Sequence, residues 1–534
     1  MPTDCISFKD TNYFSSLICD YLEEKDTLKP FYNKFPNLKN FQTQIAEKKS
    51  QFSENSRRVL VNSLKTQYKH VETSSKTEAN INGLLKGNTF TITTGHQLNL
   101  FTGPLYFFYK IISTINLCKE LKKTYPKEDF VPIYWMATED HDFEEINFFN
   151  FEGKKIRWNK KASGAVGELD LAGLQQVSDL FASQLNTGKN AATLKKLFEK
   201  AYTNHNNLTE ATRFLVNELF ADTGLVILDG NDKDLKRLFL PYAKDELLNQ
   251  TSFKKVTETS EKLNNLSTNY KIQVNPREIN LFYLKENLRE RIVFEDDLYK
   301  VLNTNITWNK NELIKHLNEA PERFSPNVIL RPLYQEVILP NLCYIGGGGE
   351  LAYWFQLKSN FETQNVAFPV LLLRNSAVLV SKKQQSKLKK LELPITDLFL
   401  KQDALLEKVS RERSEIEIDF SNQKSFLEKQ FEDLYELAKK TDKSFLGAVS
   451  AQERKQIKGL ENLEKRLLKA QKRKLKEVLG RVTSLQNELF PNKSLQERQA
   501  NFSEFYLEYG DQFIQQLMLN LQPLNQEFLI LNLE

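Results

Sequence analysis

At 534 residues the chain is too long for one ordinary core, and about 150 residues per domain predicts two to four units. Its 40% hydrophobic and 27% charged content, with 37 Phe and 19 Tyr, excludes a chain disordered throughout. The +5 formal charge, from 74 basic and 69 acidic side chains, is close to balanced over so large a surface. It points away from nucleic acid as the main partner and confines the basic excess to local runs such as Lys465 to Lys476.

Four well-separated cysteines (Cys5, Cys19, Cys118 and Cys343) form no CxxC pair, which predicts a reduced, cytoplasmic chain. The start MPTDCISFKD lacks the basic and apolar blocks of a secretory leader. No apolar run approaches the ~20 residues that span a bilayer, so no membrane is expected. The longest, around Val366 to Val380, is broken by Pro369, Arg374 and Asn375 and reads as a buried strand.

In chain order, residues 1–88 read as mostly helical, with Phe35, Leu38, Phe41 and Ile45 near helical spacing and Pro36 marking a helix start. Asn88 to Thr94 is a β-branched strand ending at Gly95, and a helix begins near Pro104. A second strand, Phe130 to Thr138, runs into Glu139–Asp140–His141–Asp142. Strand, helix, strand predicts an α/β fold with a parallel sheet, whose ligands lie beyond the carboxyl ends of the strands. Phe148 to Lys161 reads as a short β excursion, Leu174 to Phe220 as helical and Gly224 to Asp229 as another buried strand. Residues 271–310 suggest a small β-rich insert (KIQVN, NLFYL, RIVFE), and Ala367 to Leu373 is a last core strand. From Leu400 to about Phe490 the chain is helical and charged. Leu427, Phe431, Leu434 and Ala438, then Leu475, Val478, Val482, Leu485 and Leu489, keep heptad spacing, predicting an antiparallel coiled-coil hairpin with its turn in Thr441 to Ser450. Residues 500–534 return to the main body.

Three constellations fall at predicted strand ends. The first is Thr94–Gly95–His96–Gln97 with Thr102, Gly103 and Lys110, where a glycine turn before a helix turns backbone N–H groups toward an anion and His96 can donate or move a proton. The glycines could equally just make the turn around a structural histidine. The second is Glu139–Asp140–His141–Asp142, whose clustered carboxylates need water, a cation or a cationic ligand: Mg²⁺ with a nucleotide, a substrate ammonium, or the proton taken by a general base. A solvated helix start would use the same residues, and no resident metal site, zinc included, is expected. The third is Gly346–Gly347–Gly348–Gly349–Glu350 with Tyr353, glycines that let backbone approach a phosphate or carboxylate, or that make a hinge. Upstream, Arg331, Tyr334 and Gln335 share one face if helical, with Arg331 a candidate anion clamp, and Arg374–Asn375 is a lesser candidate of the same kind. Cys118 and Cys343 read as core. The basic run in the helical arm reads as a solvated coiled-coil face.

Taken together, TTGHQLNLFTGPLYFFYK (93–110), PIYWMATEDHDFEEIN (132–147), RPLYQEVILPNLCYIGGGGELAYWFQLK (331–358) and LLRNS (372–376) resemble the bacillithiol biosynthesis cysteine-adding enzymes, in order and spacing along nearly the whole chain. That family often has TGQQ where this chain has TGHQ. The resemblance implies a Rossmann-like core with inserted connecting segments and a long coiled-coil hairpin that makes a homodimer. Residues 1–88 would be an N-terminal helical segment, 89–150 and 326–398 the two halves of the core, and 151–325 the connecting insertions with part of the core. Residues 399–492 would be the coiled coil and 493–534 the returning segment. It also implies a ligase that adds cysteine to glucosaminyl malate through ATP-dependent carboxyl activation, with Mg²⁺ allowed. Asp140, His141, Asp142 and His96 would then be catalytic, and the remaining residues of the three constellations, with Arg331, Tyr334, Gln335, Arg374 and Asn375, would bind substrate and nucleotide. The competing readings are a non-catalytic nucleotide-binding scaffold that recruits a partner through the coiled coil, and a nucleic-acid-associated protein led by the basic hairpin.

Overall fold

The computed structural model describes residues 4–534 and divides into two compact units. One takes in Tyr13–Val378 and Ser494–Leu531, and the other takes in Leu379–Lys493. No helix among the described residues is long and apolar enough to cross a membrane.

The first unit is built on a five-stranded parallel sheet. Its strands are β1 (Thr89–His96), β2 (Asp129–Met136), β3 (Val226–Asp229), β4 (Asn341–Gly346) and β5 (Val370–Leu373), in the spatial order β5-β4-β1-β2-β3. Both faces of β1 are covered, so its TFTITTGH is buried throughout, as a central parallel strand requires. Pro132 sits inside β2 without costing a ladder bond to β3, because β3 pairs only with Ile133 to Met136. Register brings Gly95 opposite Trp135, His96 opposite Met136, Met136 opposite Asp229 and Gly346 opposite Leu373. The carboxyl ends of all five strands thus form one edge. Helix α1 (Tyr106–Thr124) crosses from β1 to β2, while β4 flanks β1 on the other side, so the strand order reverses beside β1. That reversal opens the crevice in which α/β sheets bind ligands.

Alternation along β1 separates two kinds of interior. Phe90 and Ile92 pack with Leu117, Cys118 and Leu121 of α1 and with Leu342, Cys343, Ile345, Val370 and Leu372 in one apolar cluster. The opposite face is polar. The Thr91 and Thr93 hydroxyls donate to Asn341 Oδ1 (3.2 and 2.8 Å), Asn341 donates to Glu336 (2.6 Å), and Lys48 pairs with Glu336 at 3.0 Å.

The insert predicted from residues 271–310 is present as the antiparallel strands Leu281–Lys285, Leu288–Glu295 and Leu298–Val301, with Thr307–Trp308 and Phe324–Pro326 at its edges. KIQVN is not a strand. The backbone N–H groups of Gln273 and Val274 donate to the Gln356 side chain (2.9 and 3.2 Å) instead of to a neighbouring strand. Residues 8–88 are mostly helical, and Asp4–Ser7 before them pairs antiparallel with Glu527–Asn532, a partner too distant in sequence for any local pattern to announce. The apolar run Val366 to Val380 is two strands, β5 and Ala377–Val380, parted by Arg374 to Ser376.

The second unit is helical: Gln402–Glu412, Ser421–Ala438, Lys443–Lys474 and Lys476–Leu489. Its connection is shorter than Thr441 to Ser450, because Asp442 caps the next helix by accepting from Ser444 and Phe445 N–H, and Gly447 lies inside that helix. The first-arm seam is Leu427, Phe431, Tyr435 and Ala438 with Val449. Leu434, expected in the seam, is 40% exposed.

Candidate active site

A cleft of about 760 Å³ opens at the carboxyl edge of the sheet. Three strand ends build it. β1 ends in Gly95 and His96 with Gln97 next, after β2 comes the run Glu139 to Asp142, and after β4 the glycines that start α3 (Gly348–Phe355). Arg331 enters from the first turn of α2 (Arg331–Ile338), and Arg374 from the connection after β5.

Glu350 organises the glycine side. Its carboxylate accepts from Gly347 N–H (2.8 Å) and the Tyr344 hydroxyl (2.7 Å) and pairs with Lys110 Nζ at 2.6 Å. Burial opposes its charge, yet Lys110 and these donors together hold the carboxyl below its ordinary value near 4.5. A carboxylate so fully engaged is a pin, not a base. Lys110 also donates to Gly95 O (2.7 Å), tying the turn after β1 to the turn after β4. Burial lowers its pKa, with Glu350 opposing.

Of the four glycines, Gly346 has no room for a side chain, since a Cβ would stand 2.9 Å from Leu351 and Tyr344. At Gly347 and Gly349 the nearest atoms are 3.5 and 3.9 Å away. Gly346 therefore serves packing, while Gly347, Gly348 and Gly349 line the cleft.

Arg331 donates to Gln335 Oε1 (3.1 Å) and to the Tyr353 hydroxyl (3.2 Å) and lies over the Trp135 and Tyr344 rings. Among the described residues it has no carboxylate at ion-pair distance. Arg374 is held on one side by Glu497 (2.7 Å), with further bonds to Asn375 O and Ser376 Oγ. Its buried Nε has no partner and lies 3.7 Å from where a Gly347 Cβ would stand. His96 likewise keeps a buried Nε2 without a partner. Burial first, then the nearby Lys110 and Arg374 charges, hold its pKa well below the ordinary 6.5, so the ring is neutral at pH 7.

On the other wall, Asp140 accepts from the Gln97 amide (2.9 Å) and from His141 N–H (2.8 Å). Asp140, His141 and Asp142 each offer one ligand atom, all within 4.8 Å of one another, an arrangement that can hold a cation. Glu139 lines the cleft but is committed to Lys236, which also donates to Asn231 and Glu322 O.

Six residues expected at the site stand outside the cleft lining. Thr102 and Gly103 shape the turn before α1, where Asn501 donates to Gly103 O (2.6 Å) and a positive φ of 63° with Asn99 close by demands glycine. Tyr334 is buried and donates to Gly230 O (2.7 Å), and Gln335 bridges Arg331 to Glu336. Gly346 is packed as described, and Asn375 binds Ser113 and Gln522 O. Tyr334 and Gln335 do lie on the helix with Arg331, but only the first-turn residue reaches the crevice.

The sequence reading missed Arg277, Arg289, Arg291 and Arg498, all lining the cleft, and Glu497, which holds Arg374. Arg289 and Arg291 carried a usable signal, two cations at i and i+2 on one strand face. Arg277, Glu497 and Arg498 carried none, being placed by long-range chain return.

Two family models cover the chain. Residues 1–375 match "Bacillithiol biosynthesis BshC, N-terminal Rossmann-like domain", and residues 377–533 match the C-terminal coiled-coil domain of the same description. Similar proteins carry the name "Putative cysteine ligase BshC". The one from Flavobacterium johnsoniae is 60% identical and that from Christiangramia forsetii 58%, over at least 99% of each chain. The one from Bacillus thuringiensis subsp. konkukian is 28% identical over 94% of this chain and 95% of its own.

Proposed function

The chain belongs to the bacillithiol biosynthesis BshC family, and from that premise we propose that it is a ligase joining the carboxyl of cysteine to the amine of glucosaminyl malate as an amide, with nucleotide activation of the carboxyl. The observation that carries this reading is the cleft's charge pattern: an acidic strand end at Asp140 to Asp142 shares one crevice with arginines that, among the described residues, have no carboxylate at ion-pair distance. Such a crevice suits ligands bearing both an ammonium and several anionic groups, as cysteine, a malyl group and a nucleotide do.

The nucleotide would supply the activation: a phosphoryl or adenylyl group would pass to a cysteine carboxylate oxygen with release of nucleoside diphosphate or diphosphate. The attacking sugar amine would then displace phosphate or nucleoside monophosphate from the carbonyl carbon. The protein's part is placement and charge. Arg331 and the free Nε edge of Arg374 meet carboxylate or phosphoryl oxygens, and the backbone of Gly347 to Gly349 lets those groups come close. Lys110, engaged with Glu350, holds the two turns together instead of meeting a ligand. Asp140 and Asp142 orient an ammonium and accept the proton that the sugar amine gives up as it attacks. Where Mg²⁺ comes with the nucleotide, the same two carboxylates would hold it in place of an ammonium, their oxygens meeting its hard preference, and the proton of the amine would then pass to water.

Purified protein given cysteine, glucosaminyl malate and ATP should form the cysteine adduct, read by mass spectrometry after thiol trapping, with one nucleotide cleaved per adduct. No adduct in any nucleotide would overturn the reading. Self-association through the helical unit accompanies this proposal, because Phe426 is 70% exposed and Leu437 and Leu463 are more than half exposed in the single chain. Sedimentation should give twice the chain mass, falling to one with Phe426→Glu and Leu463→Glu together.

A further inference from the structure

The arginines of the insert add positive charge to the cleft, but no ligand group has been assigned to them. Strand Leu288–Glu295 places Arg289 and Arg291 on one face, opposite Leu284 and Phe282 of strand Leu281–Lys285, and both line the cleft. Each keeps a buried Nε with no hydrogen-bond partner. Among the described residues neither has a carboxylate at ion-pair distance, and the same holds for Arg277, which also lines the cleft. Guanidinium groups left this way in a half-buried wall cost desolvation that the oxygens of an anionic ligand would offset.

The surroundings fix these arginines, and at Arg289 the charges of Asp140, Glu139 and Asp142 offset only part of what burial costs. The Arg289 guanidinium lies over the Phe282 ring, 4.0 Å from its centroid, and donates to His141 Nδ1. The Arg277 backbone is anchored through Asn280, whose side chain accepts from Arg277 N–H (3.0 Å) and from Asn327 (2.9 Å). Asn280 in turn donates to the buried Glu246 at 3.0 Å. With His141 Nδ1 accepting from Arg289, a neutral ring carries its proton on Nε2, so the oxygens of Asp140 and Asp142 are the ligands left for a cation, which favours a hard divalent ion over zinc.

Charge decides what ligand this wall takes. Three arginines face two carboxylates, since Glu139 is already paired with Lys236. A single amino-acid carboxylate would satisfy one guanidinium fork and leave the others unmatched. A polyphosphate with a bound divalent cation supplies several oxygens for the forks and a cation for the carboxylates.

We propose that Arg277, Arg289 and Arg291 form the polyphosphate subsite for a nucleoside triphosphate, with Asp140 and Asp142 holding its divalent cation. This rests on the ligase reading and deepens it, placing the activating nucleotide on the insert wall and leaving Arg331, Arg374 and the glycine turn to the carboxylates of the other substrates.

Calorimetric binding of β,γ-methylene-ATP with Mg²⁺ to the full chain tests it. Arg289→Ala with Arg291→Ala should weaken binding at least about tenfold, and the paired Lys substitutions should recover part of that loss. In Asp140→Asn with Asp142→Asn, removing Mg²⁺ should no longer change the affinity. Wild-type affinity in the double-alanine variant, with unchanged melting, would overturn the subsite. So would an absence of analogue binding to wild type, or loss of cysteine binding in place of analogue binding. Adduct formation by the same wild-type preparation separates the two ideas. An adduct together with undiminished analogue binding in the variant sinks the subsite alone, whereas no adduct sinks the ligase reading.

Discussion

Beneath the sheet and above its carboxyl edge, the protein treats buried charge in opposite ways. Under the sheet, Lys48 and Glu336 are 2% and 0% exposed and pair with each other, and the remaining lone pairs of Glu336 accept from Asn341 and Gln335. At the edge, among the described residues, Arg289, Arg291 and Arg331 have no carboxylate at ion-pair distance, and Arg374, though paired with Glu497, keeps a buried Nε with no hydrogen-bond partner. A charge that folding has fully matched is there for the fold. One that folding leaves unmatched, in a crevice with room beside it, is matched by something that binds.

Substitutions on either side should separate stability from chemistry. Glu336→Ala strands the Lys48 ammonium in the interior and should cost about 3–5 kcal/mol in denaturant unfolding. Arg331→Ala should change stability by less than about 1 kcal/mol while lowering turnover roughly 10- to 100-fold, the range for losing a charged hydrogen-bonding partner. A stability loss equal to that of Glu336→Ala would erase the contrast. Within the glycine run, Gly346→Ala should destabilise by about 1–3 kcal/mol through crowding of Leu351 and Tyr344. Gly349→Ala, with open space around it, should leave melting unchanged and slow turnover.

The smallest effect concerns pH. Glu350 has a folded pKa below its ordinary value near 4.5, so its contribution to stability is complete above that value and is lost as pH falls through the folded pKa. Unfolding measured between about pH 6 and about pH 3 should therefore fall less steeply in Glu350→Gln than in wild type.

Much of this edge was legible in the sequence because parallel strands carry their chemistry at their ends. TTGH, EDHD and GGGGE each follow a β-branched or apolar run, and β1, β2 and β4 bring all three to one crevice. Single helix turns were harder to read. Arg331, Tyr334 and Gln335 were expected to act together, but only Arg331 reaches the cleft, while Tyr334 and Gln335 knit α2 to Gly230 O and Glu336. Contributions from distant chain could not be read at all. Nothing local marks Glu497 as the partner of Arg374, or Asp4–Ser7 as a strand, since both depend on the chain's return after the helical unit. In the helical unit the heptads were visible. The seam position of Tyr435 in place of Leu434 depends on how the two arms rotate against each other, which spacing alone does not determine.

The most direct test of the claim that this cleft performs cysteine ligation is thiol profiling of cells lacking the gene and complemented with wild type or with Asp140→Asn and His141→Ala together. The account predicts that wild type restores the cysteine adduct. The variant, present at equal level and with unchanged melting, should accumulate glucosaminyl malate and lose about 10²- to 10⁴-fold in ligation rate, the range for removing acid–base groups. A variant that restores the thiol pool as wild type does would contradict the assignment of the reaction to this cleft.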